Sequence, residues 1–355
     1  MSVFVSALGA RCPAGLTAEQ TAMGLRFSHL SPRPTRFQDS QGEAVGMSLL
    51  SALPDELEGK ARMAALAVPA LRECLAMDRR AGHGASQGRP IVLLGCPAPR
   101  PGFAATDAGE LLQAVVREAG IDADPDRSAA FAVGHAGFAV ALERALRELP
   151  GAQGAPVFAG AVDSYHDAEA VAHFDAELRI CSVRTPDGFV PAEGAGFLAV
   201  RAGAPRGHAG SPLFAGSFGE IVLAASDLEH TVVEGKPNLA RAATELVARA
   251  AQALGGGREA RPLGWYLRTT NRERHRAREE RFVATRFPHL FDPDETQIDE
   301  LAEHLGDAGA ASGALLAVLV CQGFASGYAP RGTAVLSLAS DGPERGIVVL
   351  RRPSD

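Results

Sequence analysis

The most restrictive feature of this chain is a set of short runs that are apolar at every position. Residues 90–96 read PIVLLGC and residues 156–161 read PVFAGA. A strand with one wet face alternates apolar with polar residues, so runs without alternation belong to strands covered on both faces. Such strands need helices on either side, and the sequence supplies them. Apolar residues recur at three and four over 61–77, 107–119, 137–149 and 239–254, the last ending at Gly255–Gly257, which predicts amphipathic helices. Residues 16–25 form a helix with Thr17 as N-cap and Glu19 in its first turn, and residues 167–178 another. Further strands are expected at 3–8, 128–133, 188–201 (after a glycine bend), 213–224 and 263–269. Residues 273–285 predict a charged helix and 309–320 a buried, small-residue helix. Segments 334–340 and 346–351 close the chain as a hairpin across Asp341–Gly342. Residues 30–54, rich in Ser, Pro, Gly and Asp, read as irregular, and 79–89 as a loop.

Strands alternating with helices imply an α/β fold of packed sheets. With 355 residues, 46% of them hydrophobic, the chain can bury a large core. Each half contains a strand, a helix, a small-residue helix and a closing hairpin, which hints at an internal duplication. The net charge of −7 gives no global footprint for nucleic acid. The longest apolar runs, such as 313–321, are too short to span a bilayer. The N-terminus has no basic region followed by a sustained apolar run, so the cytoplasm is the expected compartment. Five cysteines (Cys12, Cys74, Cys96, Cys181, Cys321) are scattered without a CxxC. That pattern suggests neither a disulfide framework nor a zinc site, and no cofactor is expected.

Three segments resemble the thiolase-fold β-ketoacyl synthases. VFVSALGARCPAGLTAEQT is similar to their first strand, glycine turn and helix. VFAGAVDSYHDAEAV resembles their Gly-Gly-x-[DE]-[SA] strand end, and TPDGFVPAEGAGFLAV their Asp-Gly-Phe…Gly-Glu-Gly-Ala-Gly bend. HLGDAGAASGALLAV resembles the helix start of the second half. The resemblance implies a thiolase fold of two related halves, 1–210 and 211–355, forming one compact five-layer αβαβα unit. It also implies a homodimer through the first half.

It implies, too, where chemistry should sit. Ketosynthases need a cysteine at a helix N-terminus, where the thiolate takes the acyl group, and two histidines that polarise the incoming thioester. Aligning GHAGFAVALERAL with the family's Cys-Ala-Ser-Gly helix start puts Gly134 on the cysteine position, beside His135. The first histidine position falls on Thr269, Thr270 and Asn271, and the second on Asp307. All three groups are replaced, which points to a degenerate site in a ketosynthase-like scaffold. The alternatives are an acyl-transfer enzyme using displaced groups such as His135 with Asp307, or a non-catalytic partner of an active ketosynthase, like a chain length factor.

The closing half also resembles a narrower group: cysteine-less thiolase-fold proteins met in bacterial type VI secretion gene clusters beside PAAR spike-tip proteins and their effectors. LRTTNRERHRAREERF and LGDAGAASG carry that likeness, with Arg272 where a glycine is expected after Asn271. It implies a cytoplasmic adaptor whose partner is an effector, a PAAR-type protein or another adaptor.

Several residues admit two readings. His135 at a helix start is either a base or a filler of the old pocket. Asp163, Ser164 and His166 lie together, but no Gly-x-Ser-x-Gly elbow surrounds Ser164, which favours strand-end capping over hydrolysis. Gly188, Gly194 and Gly196 fit a tightly packed bend better than a phosphate loop. Cys96 and Cys181 read as packing residues. Arg272, Arg274, Arg276, Arg278 and Arg281, with Glu273, Glu279 and Glu280 interleaved, form either a solvated helix laced by i,i+4 pairs or an arginine face for an acidic partner.

Overall fold

The computed structural model describes residues 2–27, 32–82, 88–203, 217–256 and 262–353. The boundary expected at 210, and the start of the strand expected at 213, lie outside them. The first half runs β1 (Val3–Arg11), α1 (Ala18–Phe27), β2 (Arg33–Gln38), β3 (Ala44–Met47), α2 (Gly59–Arg80), β4 (Ile91–Cys96), α3 (Asp107–Ala119), β5 (Ala129–Ala132), α4 (Gly137–Glu148), β6 (Val157–Ser164), α5 (Ala168–Ala176) and β7 (Glu193–Ala202). The second runs β8 (Gly219–Leu228), α6 (His230–Val233), α7 (Arg241–Ala253), β9 (Trp265–Arg268), α8 (Arg274–Arg286), β10 (Gln297–Glu300), α9 (Leu301–His304), α10 (Ser312–Ala325), β11 (Thr333–Ala339) and β12 (Glu344–Arg351).

The duplication is visible in the strand order. Across the first half it is β5-β4-β6-β7-β1, and across the second β10-β9-β11-β12-β8. The directions match as well. β4 is parallel to β5 and β6, and β7 is antiparallel to β6 and β1. β9 is parallel to β10 and β11, and β12 is antiparallel to β11 and β8. The two sheets meet at a seam where Phe4 and Val5 of β1 pair with Glu220 and Gly219 of β8.

Three hydrophobic clusters mark the layers. Ile91 and Leu93 of β4 face a central core with Phe138 and Leu142 of α4 and Leu315 and Leu319 of α10. Val92 and Leu94, pointing the other way as strand geometry demands, pack against Leu66 and Leu71 of α2 and Leu111 and Val115 of α3. This is why PIVLLGC does not alternate. Outside the second sheet, Leu246 and Val247 of α7 and Val283 of α8 pack on Tyr266 and Val335. Gly194 and Gly196 let α10 approach β7: a Cβ at Gly196 would stand 3.0 Å from Ala314. Among the described residues, no helix is long and apolar enough to cross a membrane.

Two expectations need correction. Residues 33–47 are not irregular but form the antiparallel hairpin β2–β3, whose Phe37, Val45 and Met47 pack with Tyr165, Phe174 and Phe189. Its prolines and polar residues hid the pattern, because only one side of the hairpin is buried. The parallel edge strand β10 was also unforeseen. It is four residues long and half-exposed, too short for a periodic signal.

Candidate functional site

α4 and α10 occupy equivalent places in the middle layer, and each is entered through a three-residue 3-10 turn: Gly134–Ala136 and Gly309–Ala311. Both turns open on a glycine at positive φ, +73° and +53°, a conformation that side chains disfavour. Each turn is held from the opposite half. The Ser340 hydroxyl, just after β11, accepts the Ala136 N–H at 3.0 Å. The Asp163 carboxylate, near the end of β6, accepts the Ala310 N–H at 2.9 Å. The space around the two glycines differs. A Cβ at Gly134 would meet Ala98 Cβ and Ser340 Oγ at 3.5 Å, an ordinary contact, whereas one at Gly309 would lie 2.0 Å from Asp163 Oδ2.

The structure brings together His135, Asn271 and Asp307, three of the residues singled out from the resemblance. His135 Nε2 lies 2.7 Å from Asp307 Oδ1, although 172 residues separate them. Arg276 Nη2 faces His135 Nδ1 at 3.3 Å and donates to Asp341 Oδ1 at 2.6 Å. A guanidinium only donates and a carboxylate only accepts, and between them Arg276 and Asp307 engage both ring nitrogens of His135. Asn271 Nδ2 donates to Asp307 Oδ2 at 2.7 Å, and the Gly309 N–H to Oδ1 at 2.8 Å. Burial opposes the charge on Asp307, but the bond from His135, the positive Arg276 and the Gly309 N–H outweigh it. They hold the carboxyl well below the usual carboxylate range. Asp341 is held low in the same way, with burial outweighed by Arg276, His135 and Arg179.

Thr269 Oγ1 accepts the Ala339 N–H at 3.1 Å, a structural role at the β9–β11 junction. Thr270 Oγ1 is buried without a partner among the described residues. Over this network opens a cleft of about 370 Å³, lined by Ala98, Arg100, Gly134, His135, Arg179 and Asp341 among others. Its walls are charged and paired. Arg100 Nη2 donates to Asp163 Oδ1 at 2.6 Å, and Arg179 binds Glu273 Oε1 at 2.7 Å and Asp341 Oδ1 at 3.0 Å. Glu273, His275 and Asp341 converge closely enough to suggest a cation site, but both carboxylates are already neutralised by Arg179 and Arg276. Arg100, Arg179 and Asp341 were not foreseen as part of the site, since no local motif marks them.

The arginine segment is corrected. Arg276 is not a surface residue: it is 3% exposed and points into the network. Arg276, Glu279, Glu280 and Val283 form the buried face of α8. Glu279 binds Arg345, with Nε at 2.5 Å, and Asn238 at 2.7 Å. Glu280 accepts from the Tyr266 hydroxyl at 2.9 Å. The glutamates therefore do not form the expected i,i+4 pairs. Arg272, Arg274, Arg278 and Arg281 are exposed, and Arg274 pairs with Asp187 at 2.6 Å. Asp163 does cap across the halves, while the Ser164 hydroxyl donates to Glu193 at 2.7 Å. Cys96 is buried and its thiol pushed up by desolvation, and Cys181 sits beside Arg272, 3.8 Å from its guanidinium.

No family model matches the chain, and no curated protein matches it. Among solved structures it is similar to a type II polyketide synthase acyl-carrier protein in complex with its ketosynthase bound to a hexaketide, at TM-score 0.73 and 15% identity over 99% of both chains. The fold is the thiolase fold. A ketosynthase domain of the Streptomyces albus JA3453 oxazolomycin system aligns at TM-score 0.73 and 14% identity, over 100% of this chain and 75% of that one. The ishigamide ketosynthase/chain length factor aligns at 0.70 and 16% over the whole of both chains. At the start of α4 in this thiolase fold stands Gly134, which lines the cleft.

Proposed function

We propose that this chain is a non-catalytic ketosynthase-like protein that works as the partner subunit of an active ketosynthase, in the manner of a chain length factor. Gly134 is the observation that carries the reading. It stands at the start of the central helix with room for a side chain toward the cleft, and it has none. Condensation through a covalent acyl intermediate needs a nucleophile there. The remaining groups do not compensate. His135 has no free lone pair, and an anionic Asp307 opposes the negative charge that develops on a thioester carbonyl. One structural relative is described as a ketosynthase/chain length factor, which supports a pairing role. β5 lies at the end of the strand order, so it offers an edge to which a second thiolase-fold chain can add. That second chain is an active synthase in this reading, or another copy in a homodimer.

The test is to incubate the full chain with malonyl- and acyl-thioesters and with a ketosynthase encoded beside it, then record intact mass and complex size. The expected result is no acyl adduct on this chain and a stable heterodimer. An adduct traced to one of its residues overturns the reading. The exposed face of Arg272, Arg274, Arg278 and Arg281 favours a second reading, an adaptor for a type VI secretion effector or PAAR-type protein. Capture of such a protein, with no synthase bound, decides for it.

A further inference from the structure

His166 follows β6 and is fully buried, yet neither of its ring nitrogens has a hydrogen-bond partner among the described residues. Buried polar atoms are ordinarily paired, and an apolar side chain would fill the same place without leaving two nitrogens unmatched. The groups around the ring offer an added proton no acceptor. Glu193 of β7 already takes four donors: Arg62 at both oxygens, the Leu50 N–H at 2.8 Å and the Ser164 hydroxyl at 2.7 Å. A carboxylate has about four lone-pair sites, so it is saturated. Asp55, before α2, pairs with Arg33 at 3.4 Å, and Glu58 pairs with Arg36 of β2. Asp167, the next residue, caps α5 through the Ala170 N–H at 3.0 Å. Burial and the positive Arg62 of α2 disfavour a charged ring more than Glu193 favours it.

The β2–β3 hairpin is the weakest cover over this ring. Phe37 of β2 packs edge-on against it, with ring centres 4.9 Å apart. β2 and β3 form a two-stranded sheet of their own, outside the ten-stranded sheet, and such a pair has little stability alone. Its register breaks between Pro34 and Gln38, so Phe37 sits where the ladder is interrupted. The ion pairs from Arg33 and Arg36 that tie β2 down are partly exposed and contribute little. On the other sides, β6 and β7 belong to the ten-stranded sheet, and α2 packs in the buried layer against it. Phe37 shares its cluster with Tyr165 and Phe174, which also line the cleft at Gly134. We propose that the β2–β3 hairpin is a flap that mild acid opens, with His166 as the proton sensor beneath it, and that its lifting loosens the Tyr165–Phe174 wall of the cleft. A charged ring needs water, and displacing Phe37 admits water without breaking the ten-stranded sheet. The flap involves no partner chain, so it holds or fails apart from the pairing with a synthase.

The test is hydrogen exchange of the full-length protein, read by mass spectrometry at pH 7.5 and 5.5 and corrected for the intrinsic exchange rate at each pH. Protection of residues 33–47 is expected to fall at pH 5.5 by up to about tenfold. One proton shifts an opening equilibrium by at most about tenfold per pH unit, and a solvated imidazole charges below about 6.5. α5, which carries Phe174, should lose protection with the hairpin, while α2, β6 and β7 keep theirs. His166→Phe should retain the protection seen at pH 7.5 and abolish its loss in acid, and His166→Leu gives the same readout where phenylalanine does not fit. His173→Gln, on α5, should leave the acid response intact. No loss of protection at pH 5.5, a loss that persists without His166, a loss abolished by His173→Gln, a loss shared equally by β6 and β7, or an unchanged α5 overturns the proposal.

Discussion

The two halves of this protein share one strand order and one set of strand directions, yet their central helices begin differently. At Gly134 the first half leaves space, bounded by Ala98 and Ser340 at 3.5 Å. At Gly309 the second half leaves none, because the Asp163 carboxylate fills it at 2.0 Å. The same backbone device, a glycine at positive φ before a helix, thus serves an open position in one half and a crossing of the halves in the other. Duplication supplied the frame, and the side chains that reach across the seam decide what each copy does. A site built this way cannot belong to either half, since His135 comes from one and Asp307, Asn271 and Arg276 from the other.

The sharpest way to break this comparison is to substitute both glycines. Gly309→Ala must evict Asp163 from Arg100 and from the Ala310 N–H. Losing one side of a buried ion pair predicts a destabilisation of about 3–5 kcal/mol, read as a lowered urea midpoint. Next is Asp307→Asn, which keeps the shape but removes the charge that Arg276 and His135 face. It should cost about 2 kcal/mol at neutral pH. The sign in acid follows from the depressed carboxyl. Its contribution is complete above the unfolded value of about 3.9 and is lost as the pH falls toward the folded value. The variant should therefore lose less stability between neutral and acid pH than the parent.

Gly134→Ala should be milder than either, about 1–2 kcal/mol, because only backbone strain opposes it. If it proves as damaging as Gly309→Ala, the two helix starts are not different in kind. The smallest effect concerns His166, which follows β6 in the first half. It is fully buried, with neither ring nitrogen partnered among the described residues, and it packs edge-on to Phe37. Burial first, then Arg62, lowers its pKa from the usual value, so its neutral form belongs to the folded state. Stability should be complete above the unfolded value of about 6.5 and fall below it, by at most about 1.4 kcal/mol per pH unit. His166→Phe should flatten that slope between pH 7.5 and 5.5 in urea titrations.

The elements themselves were legible because their signals are local. PIVLLGC and PVFAGA read as doubly covered strands, and β4 and β6 are fully buried. The hairpin expected across Asp341–Gly342 is present, with β11 and β12 paired antiparallel. α8 was legible as a helix but not in its orientation. Its buried stripe at 276, 279, 280 and 283 has perfect helical spacing but carries Arg, Glu, Glu and Val. A reading keyed to hydrophobic residues therefore turned that face to solvent. What buries it is a set of partners (Arg345, Tyr266, Asp341) that lie up to 66 residues away and carry no mark of the pairing.

By itself the sequence determined the alternation of strand and helix, the likeness to the thiolase fold, and the glycine, Gly134, that precedes the central helix of the first half. These rest on periodicity, turn residues and identity at a position, all properties of neighbouring residues. Only the tertiary structure decided that His135 is satisfied by Asp307 and Arg276, that Arg276 is a core residue, and that the position beside Gly134 is open while that beside Gly309 is closed. Those are facts about groups brought together from distant parts of the chain. Whether a buried charge is matched, or a space filled, depends on what the fold sets against it.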